Sequence, residues 1–168
     1  MRNRNEIPAE LKWDFTHIFK TKEDWEKAYS EVESEISALS ALKGTLGESA
    51  DSLAKAYDTL FGFYEKFEPV ADYAFLKKTI DGGDSEAQAM GDRVNMLAVK
   101  ASSAAAFFDP ELMEIPEEKL AEFMKSDKMK KYAHIVEDAT RLRAHVLDEK
   151  SEGILAMMGK ITGTPSDA

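Results

Sequence analysis

Residues 84–108 read DSEAQAMGDRVNMLAVKASSAAAFF, and this stretch decides the fold. Its apolar side chains recur every three or four residues, which is the spacing of one face of an α-helix. Ser85 followed by Gln88 has the form of a capping box, and Asp109-Pro110 is expected to end the helix. We therefore expect a long central helix, 84–108, with other helices packed against it. Four small residues on its apolar face favour close helix packing: Gly91, Ala98, Ala101 and Ala105.

The segments before this stretch predict further amphipathic helices. Thr21, followed by two acidic residues in the next turn, is typical of a helix start, and Gly44 is expected to close that helix. Ser49 is a second expected cap. Pro69 interrupts the helix that follows, and we expect a kink or a break there because proline lacks the backbone N–H. The run 81–83, Asp-Gly-Gly, then predicts the turn into the central helix.

The segments after the central helix predict shorter helices. Asp109-Pro110-Glu111 and Ile115-Pro116-Glu117 are both typical of helix starts, since proline fits the first turn of a helix. Ser126-Asp127 is expected to cap a helix that continues to Leu142. Asp148 is expected to begin a last helix, whose apolar side chains are Ile154, Leu155, Met158 and Ile161.

Together these patterns predict an all-α protein, an irregular antiparallel bundle of about six to eight helices. No stretch alternates apolar and polar residues over the length of a strand. Residues 1–12 are expected to form an extended N-terminal arm, and the short aromatic segment 13–19 to anchor it on the body. We expect residues 13–162 to form a single all-helical domain, and 163–168 a flexible C-terminal end or linker.

Composition excludes several functional classes. The 168 residues contain no cysteine, so no disulfide, thiol nucleophile or cysteine metal site is available. A net charge of −10 disfavours nucleic acid and anionic membranes as partners. The longest uncharged stretch, 101–108, is far shorter than the roughly 20 apolar residues of a membrane span. Without a signal-peptide pattern at the N-terminus, we expect a cytoplasmic protein.

The three histidines do not form a recognisable catalytic or metal-binding motif. None lies in His-Glu-x-x-His, and none has a glutamate three residues before it, which excludes the helical zinc-protease and di-iron patterns. His134 and Asp138 are spaced to pair on one helix face, which favours a structural contact. His17 has no partner motif, and His145 is interpreted as a packing or helix-end residue. We therefore expect no catalytic, cofactor-binding or metal-binding residue in this chain.

Three other candidates also favour structural interpretations. The acidic loop 81–86 lacks the glycine that an EF-hand calcium loop requires, so a linker turn is expected. Ser102 and Ser103 have no histidine base nearby and are interpreted as helix-packing residues. Six aromatic residues at helical spacing are expected in the core, with the lining of a binding groove as the alternative: Trp25, Tyr29, Tyr57, Tyr64, Phe67 and Tyr73.

Three separated motifs resemble one known family. They are Trp13-Asp14-Phe15 followed by 21–25, then 107–118 (FFDPELMEIPEE), then 132–138 (YAHIVED) leading into 141–147 (RLRAHVL). Their order and spacing resemble the amino-terminal region of oligoendopeptidase F, a zinc metallopeptidase family of the thimet-oligopeptidase kind. The resemblance implies a helical protein that cuts short peptides in a deep cleft between two halves.

The same resemblance implies that this chain is the non-catalytic part of such an enzyme. The family's His-Glu-x-x-His helix lies several hundred residues downstream and is absent here, so the chain is expected to be a fragment and inactive alone. Zinc would belong to the catalytic half of the same polypeptide, and this domain would form one wall of the cleft. Short peptides and that catalytic half are the implied partners, with self-association of the isolated chain through an exposed apolar patch. The alternative is a free-standing helical interaction module.

Overall fold

The computed structural model describes residues 7–141, and every regular element in that range is helical. The predicted all-α fold is confirmed. Three short 3-10 helices span Ala9–Leu11, Phe15–His17 and Asp127–Tyr132. The α-helices of the described range are α1 Lys22–Ser40, α2 Ala50–Ile80, α3 Ser85–Ala105, α4 Phe108–Glu114, α5 Glu117–Phe123 and α6 Ala133–Arg141. The helix expected from Asp148 lies outside the described residues.

Side chains that accept backbone hydrogen bonds fix the starts of the first two helices. Thr21 Oγ1 accepts from the N–H of Asp24 at 3.1 Å, and the Asp24 carboxylate accepts from the N–H of Thr21 at 3.1 Å. This reciprocal pair is a capping box that satisfies two otherwise unpaired donors. Ser49 Oγ accepts from the N–H of Ser52 at 3.0 Å, as its position before α2 predicts.

The cap of α3 is one residue earlier than the sequence pattern indicates. Asp84 Oδ1 accepts from the N–H groups of Glu86 and Ala87, at 2.9 and 3.1 Å. Ser85, the expected cap, is instead the first helical residue. A carboxylate has the advantage here because it adds a charge that complements the positive end of the helix dipole. Gln88, the expected second half of the box, donates to the carbonyl of Gly82.

α1, α2 and α3 pack as an up-down-up set. Two ion pairs join α1 to α3, Glu26 to Arg93 and Glu33 to Lys100, each at 2.7 Å. Both pairs have a sequence offset of 67 residues, so the two helices run parallel in a fixed register. α2 runs antiparallel between them, and Lys66 of α2 pairs with Glu35 of α1.

Two apolar cores share α2. The first core is formed by α1, the C-terminal half of α2 and α3, with Trp25 fully buried in it. The second core is formed by 42–46, the N-terminal half of α2, α4, α5, Asp127–Tyr132 and α6. Leu60, midway along α2, packs against both cores. The helix common to both cores is therefore α2, whereas α3, which forms most of the expected central stretch 84–108, contributes to the first core and Phe108 to the second.

Pro69 does not break α2, which is continuous for 31 residues. Proline removes one helical hydrogen bond, and its ring crowds the carbonyl of the preceding turn. Here Pro69 faces solvent, while the residues after it, Val70 and Ala71, are buried in the first core. Tertiary burial on either side of the proline holds the helix together despite the lost bond.

α3 ends at Ala105, three residues before the predicted end. The chain turns there because Phe108 enters the second core, where its ring meets that of Tyr57 at 5.0 Å. Pro110 therefore lies in the first turn of α4 instead of terminating α3. A proline costs little in that turn, whose N–H groups have no helical partner. The segment after Ser126 also differs from the expected single helix: it is 3-10 over Asp127–Tyr132 before α6 begins, and Ser126 makes no side-chain cap bond.

The N-terminal segment docks partly as expected. Phe15 and Phe19 pack edge-on against Tyr73 of α2, at ring distances of 5.8 and 5.4 Å. Trp13, expected in the same anchor, is 74% exposed and takes no part in it. Residues Ala9–Leu11 form a 3-10 helix within the segment expected to be extended.

Candidate functional site

The histidines of the described range are exposed and isolated from one another. His17 lies 3.7 Å from Asp14 with 85% of its side chain exposed. His134 lies 3.4 Å from Asp138, which confirms the expected pair on one helix face, and is 84% exposed. Each imidazole therefore has one carboxylate neighbour and open solvent around it. His145 lies outside the described residues.

The acidic turn before α3 serves the backbone. Asp81 Oδ1 accepts from the N–H of Gly83 at 2.9 Å, and Asp84 caps α3 as described above. This is the expected linker turn, because both carboxylates are engaged by the local chain. Across residues 7–141, no group of three His, Cys, Asp or Glu side chains converges in a way that would hold a metal ion. The described residues thus do not fit a zinc site.

The remaining candidates for acid–base or nucleophilic chemistry lack the partners they would need. Burial raises the pKa of Tyr57 to about 12, so its phenol stays protonated at neutral pH. Ser102 and Ser103 are exposed on α3, and no histidine of the described range lies beside them. Ser102 instead lines a shallow depression together with Tyr64 and Ala105. We find no catalytic constellation within residues 7–141.

One side of the three-helix set is closed by α1. The Arg93 guanidinium makes two bonds to Glu26, at 2.7 and 2.8 Å, and lies 4.3 Å from the ring centre of Tyr29. These bonds hold the pKa of Glu26 below its usual range. Trp25 donates from Nε1 to the carbonyl of Val70 at 2.9 Å. This side of α2 and α3 is therefore occupied within the chain itself.

The aromatic residues expected in the core are mostly buried, in one core or the other. Four of the six expected core aromatics are buried, and Phe67 is partly buried. The four buried residues are Trp25, Tyr29, Tyr57 and Tyr73. Tyr64 is the exception at 36% exposure, which supports the alternative of a surface lining at that one position.

The open side of α2 and α3 carries exposed aromatic and acidic residues. Tyr64 faces Ser102 and Ala105 of α3 across the shallow depression, so the two helices share this surface. On α3, Arg93 and Lys100 point towards α1. Asp92 and Val99, which precede them, are rotated from that direction by about 100° around the helix. We call this surface the outer face and define it by eight exposed residues: Phe61, Tyr64, Glu65, Glu68, Asp72 and Phe75 on α2, with Asp92 and Val99 on α3.

The carboxylates of the outer face differ from those of α1. Glu26, Glu33 and Glu35 of α1 each pair with a cation on α2 or α3. By contrast, the outer-face carboxylates have no ion pair or hydrogen bond with any residue in the described part of the chain: Glu65, Glu68, Asp72 and Asp92. The cations of these helices that pair with carboxylates of α1 are Lys66, Arg93 and Lys100, and none of them forms an ion pair on the outer face.

Sequence reasoning missed the outer face because it favoured the core for the aromatic residues of α2, with a groove lining as the alternative, and did not group them with the acidic residues beside them. The available signal was the run of aromatics and acids at 61, 64, 65, 68, 72 and 75, which recurs every three or four residues on a second stripe of α2. None of the helices in residues 7–141 is long and apolar enough to span a bilayer.

Comparison with known proteins points to one family. Residues 111–168 match the family described as Oligopeptidase F. The chain is 35% identical to the oligopeptidase PepF of Bacillus subtilis over 166 residues, 98% of its length. It is 33% identical over 168 residues to an oligoendopeptidase F of Lactococcus lactis. It spans about a quarter of the length of these curated relatives, 25% of the first and 28% of the second.

Solved structures agree with the sequence matches. The crystal structure of oligoendopeptidase-F from Enterococcus faecium superposes with a TM-score of 0.71 at 29% identity, covering 88% of this chain and 29% of that one. A putative peptidase from Chlamydophila abortus gives a TM-score of 0.78 at 22% identity, covering 99% of this chain and 28% of that one. At that lower identity the second likeness supports the fold alone.

Proposed function

Because this chain corresponds to the amino-terminal domain of oligoendopeptidase F-like peptidases, we propose that it forms one wall of a cleft that admits short peptides. In this role the domain takes no part in bond cleavage. It shapes the chamber, excludes folded proteins and helps to hold an extended peptide in place. The single observation that carries the proposal is the match of nearly the whole chain to about a quarter of each relative.

The chemistry is proposed to reside on polypeptide outside this chain. The 168 residues contain no His-Glu-x-x-His, and the described residues do not fit a zinc site. The family resemblance assigns the zinc, and the water that it activates, to a catalytic half of the same polypeptide. The proposed partners are therefore that catalytic half and a short peptide. We also propose that the enzyme is cytoplasmic and that residues 13–162 belong to one domain.

A direct assay tests the non-catalytic role. The 168-residue chain is incubated with zinc and an internally quenched fluorogenic peptide, and we expect no cleavage above the buffer rate. Robust cleavage that a chelator abolishes would contradict the proposal.

A chimera tests the wall function. The matching quarter of the Bacillus subtilis relative is replaced by this chain, and peptide cleavage is compared with that of the relative lacking the same quarter. We expect the chimera to cleave peptides and the truncated relative to lose this activity. A folded chimera without activity would count against the proposal.

A free-standing interaction module is the second candidate, and the exposed outer face favours it. Reading the gene beyond residue 168 distinguishes the two. A downstream His-Glu-x-x-His supports the peptidase wall, and a stop codon directly after residue 168 supports the module.

A further inference from the structure

The outer face has the dimensions of a short extended peptide. From Phe61 to Phe75 it covers 15 residues of α2, and the 14 steps between them correspond to about 21 Å along the helix. An extended chain advances about 3.3 Å per residue, so about six peptide residues cover this length. The three aromatic side chains of the stripe are 36 to 41% exposed, which leaves their rings open to contact: Phe61, Tyr64 and Phe75.

The charge of the outer face selects among peptides. Glu65, Glu68, Asp72 and Asp92 make no ion pair within residues 7–141, so they remain available to an external cation. No lysine or arginine is among the eight residues that define the face. A lysine or arginine side chain placed here gains a carboxylate partner and an aromatic ring within reach. An anionic peptide meets like charge at these four carboxylates, while the Lys78 side chain of α2 lies beside Gly91 of α3.

Resting on the proposed function as a cleft wall, we propose that the outer face binds short extended peptides in which cationic residues alternate with aromatic or aliphatic ones. Side chains of an extended peptide alternate between its two sides, so the cationic ones of such a peptide can all point to the face. The carboxylates pair with them, and the rings of Tyr64 and Phe75 lie within reach of the same cations. Exposed ion pairs contribute little individually, so selection arises from several acting along one peptide.

Two synthetic hexapeptides test this proposal, acetylated and amidated at their ends: Lys-Phe-Lys-Phe-Lys-Phe and Glu-Phe-Glu-Phe-Glu-Phe. Each is titrated into the ¹⁵N-labelled 168-residue chain at low salt, with amide shifts mapped by NMR and the affinity taken from the dependence of these shifts on peptide concentration. We expect the lysine peptide to shift amides of α2 and α3 on the outer face, and the glutamate peptide to leave them unchanged.

A pair of matched variants locates the charge effect. Glu68→Gln/Asp72→Asn removes two outer-face charges, and we expect it to weaken binding of the lysine peptide by about 2- to 30-fold, the range for two exposed ion pairs. Glu48→Gln/Glu118→Gln removes two exposed carboxylates elsewhere that also lack partners in the described part, and we expect unchanged affinity. Circular dichroism of both variants checks the fold.

The outcomes separate this inference from the proposed function. If both peptides shift the outer face equally, or both double variants weaken binding equally, charge selection is overturned while the wall function stands. If no peptide shifts the face, the inference is overturned. The inference is also overturned if the amide signals of the outer face shift with protein concentration in the absence of peptide, because a second copy of the chain would then occupy the face. In every case, the chimera assay tests the proposed role as a cleft wall independently of these peptide titrations.

Discussion

A single guanidinium group makes the most specific contact between α1 and α3. Arg93 binds both carboxylate oxygens of Glu26 and stacks on Tyr29, with Trp25 5.0 Å from it on the same side. A planar guanidinium suits both tasks, because its fork matches a carboxylate and its face matches a ring. A lysine ammonium group has neither the fork nor the flat face. The contacts at this position therefore require the shape of arginine as well as its charge.

The Glu26 contact predicts a pH dependence of stability. Hydrogen bonding to Arg93 lowers the pKa of Glu26 in the folded state. Its contribution is therefore complete above the unfolded value of about 4.3 and is lost as the pH falls through the lower folded value. In urea unfolding, we expect the stability difference between the wild type and Glu26→Gln to be constant from pH 8 to 6 and to shrink below about pH 4.3. A difference that stays constant down to pH 3 would contradict this assignment.

The cap of α3 gives a second prediction at this scale. Asp84→Ala removes the acceptor for two backbone donors, so we expect the free energy of unfolding to fall by about 1 kcal/mol. Ser85→Ala removes no cap bond, and we expect a change below about 0.5 kcal/mol. Asp84→Asn keeps the acceptor and is expected to restore most of the loss. Chemical denaturation measures all three, and a larger effect at Ser85 would identify it as the true cap.

At the scale of elements, α2 contains a proline that its packing tolerates. Pro69 is exposed, and its ring makes no contribution to either core. An interior proline costs about 3 kcal/mol, partly offset by about 1 kcal/mol from the stiffer unfolded chain. The helix forms because burial on both sides of Pro69 outweighs this cost.

Replacing this proline is therefore expected to stabilise the protein. Pro69→Ala restores a backbone N–H and should raise the free energy of unfolding by about 1 to 2 kcal/mol. Pro116→Ala is the control, because Pro116 caps the start of α5, where no helical bond is missing. Thermal and urea unfolding measure both variants. Destabilisation by Pro69→Ala would mean that the helix needs the local geometry that proline imposes.

Most elements were predictable from local sequence, whereas their exact ends were not. Helical spacing and the caps Thr21 and Ser49 predicted the starts of α1 and α2 correctly. The end of α3 was wrong because Phe108 is drawn into the second core, a contact with Tyr57 that no local pattern encodes. The interruption predicted at Pro69 was wrong for the same reason, since only tertiary packing shows that α2 continues through this residue.

At the scale of the whole molecule, the two cores are joined through one helix. α2 supplies side chains to both, and Leu60 contacts both at its midpoint. Unfolding of α2 would therefore expose apolar surface in both cores. This coupling favours a single cooperative unfolding transition over separate melting of two units.

Probes in the two cores are therefore expected to report the same transition. In a Trp13→Phe variant, the fluorescence of Trp25 reports the first core alone, because these are the two tryptophans of the chain. NMR signals of Leu112 and Met129 report the second core. We expect coincident denaturant midpoints. Earlier loss of the second-core signals would show that the cores unfold separately.

The candidate site was less predictable than the fold. The spacing on α2 shows a stripe of aromatics and acids, but its exposure depends on which sides α1 and α3 cover. Glu68 and Asp72 look no different in sequence from Glu33 and Glu35, which are paired. Only the packing of three helices reveals which carboxylates are compensated, and so where a partner can bind.

The fixed register of the two ion pairs between α1 and α3 limits where residues can be inserted into or deleted from the chain. One residue inserted within α2 would rotate everything beyond it by about 100° and so carry part of its core stripe to the surface. Residues added in the exposed turn 81–83 would leave the pairs of Glu26 and Glu33 intact, because that turn lies outside the three helices, whereas 41–49 contains Leu42 and Leu46 of the second core. Natural insertions in this region should therefore gather at the turn between α2 and α3.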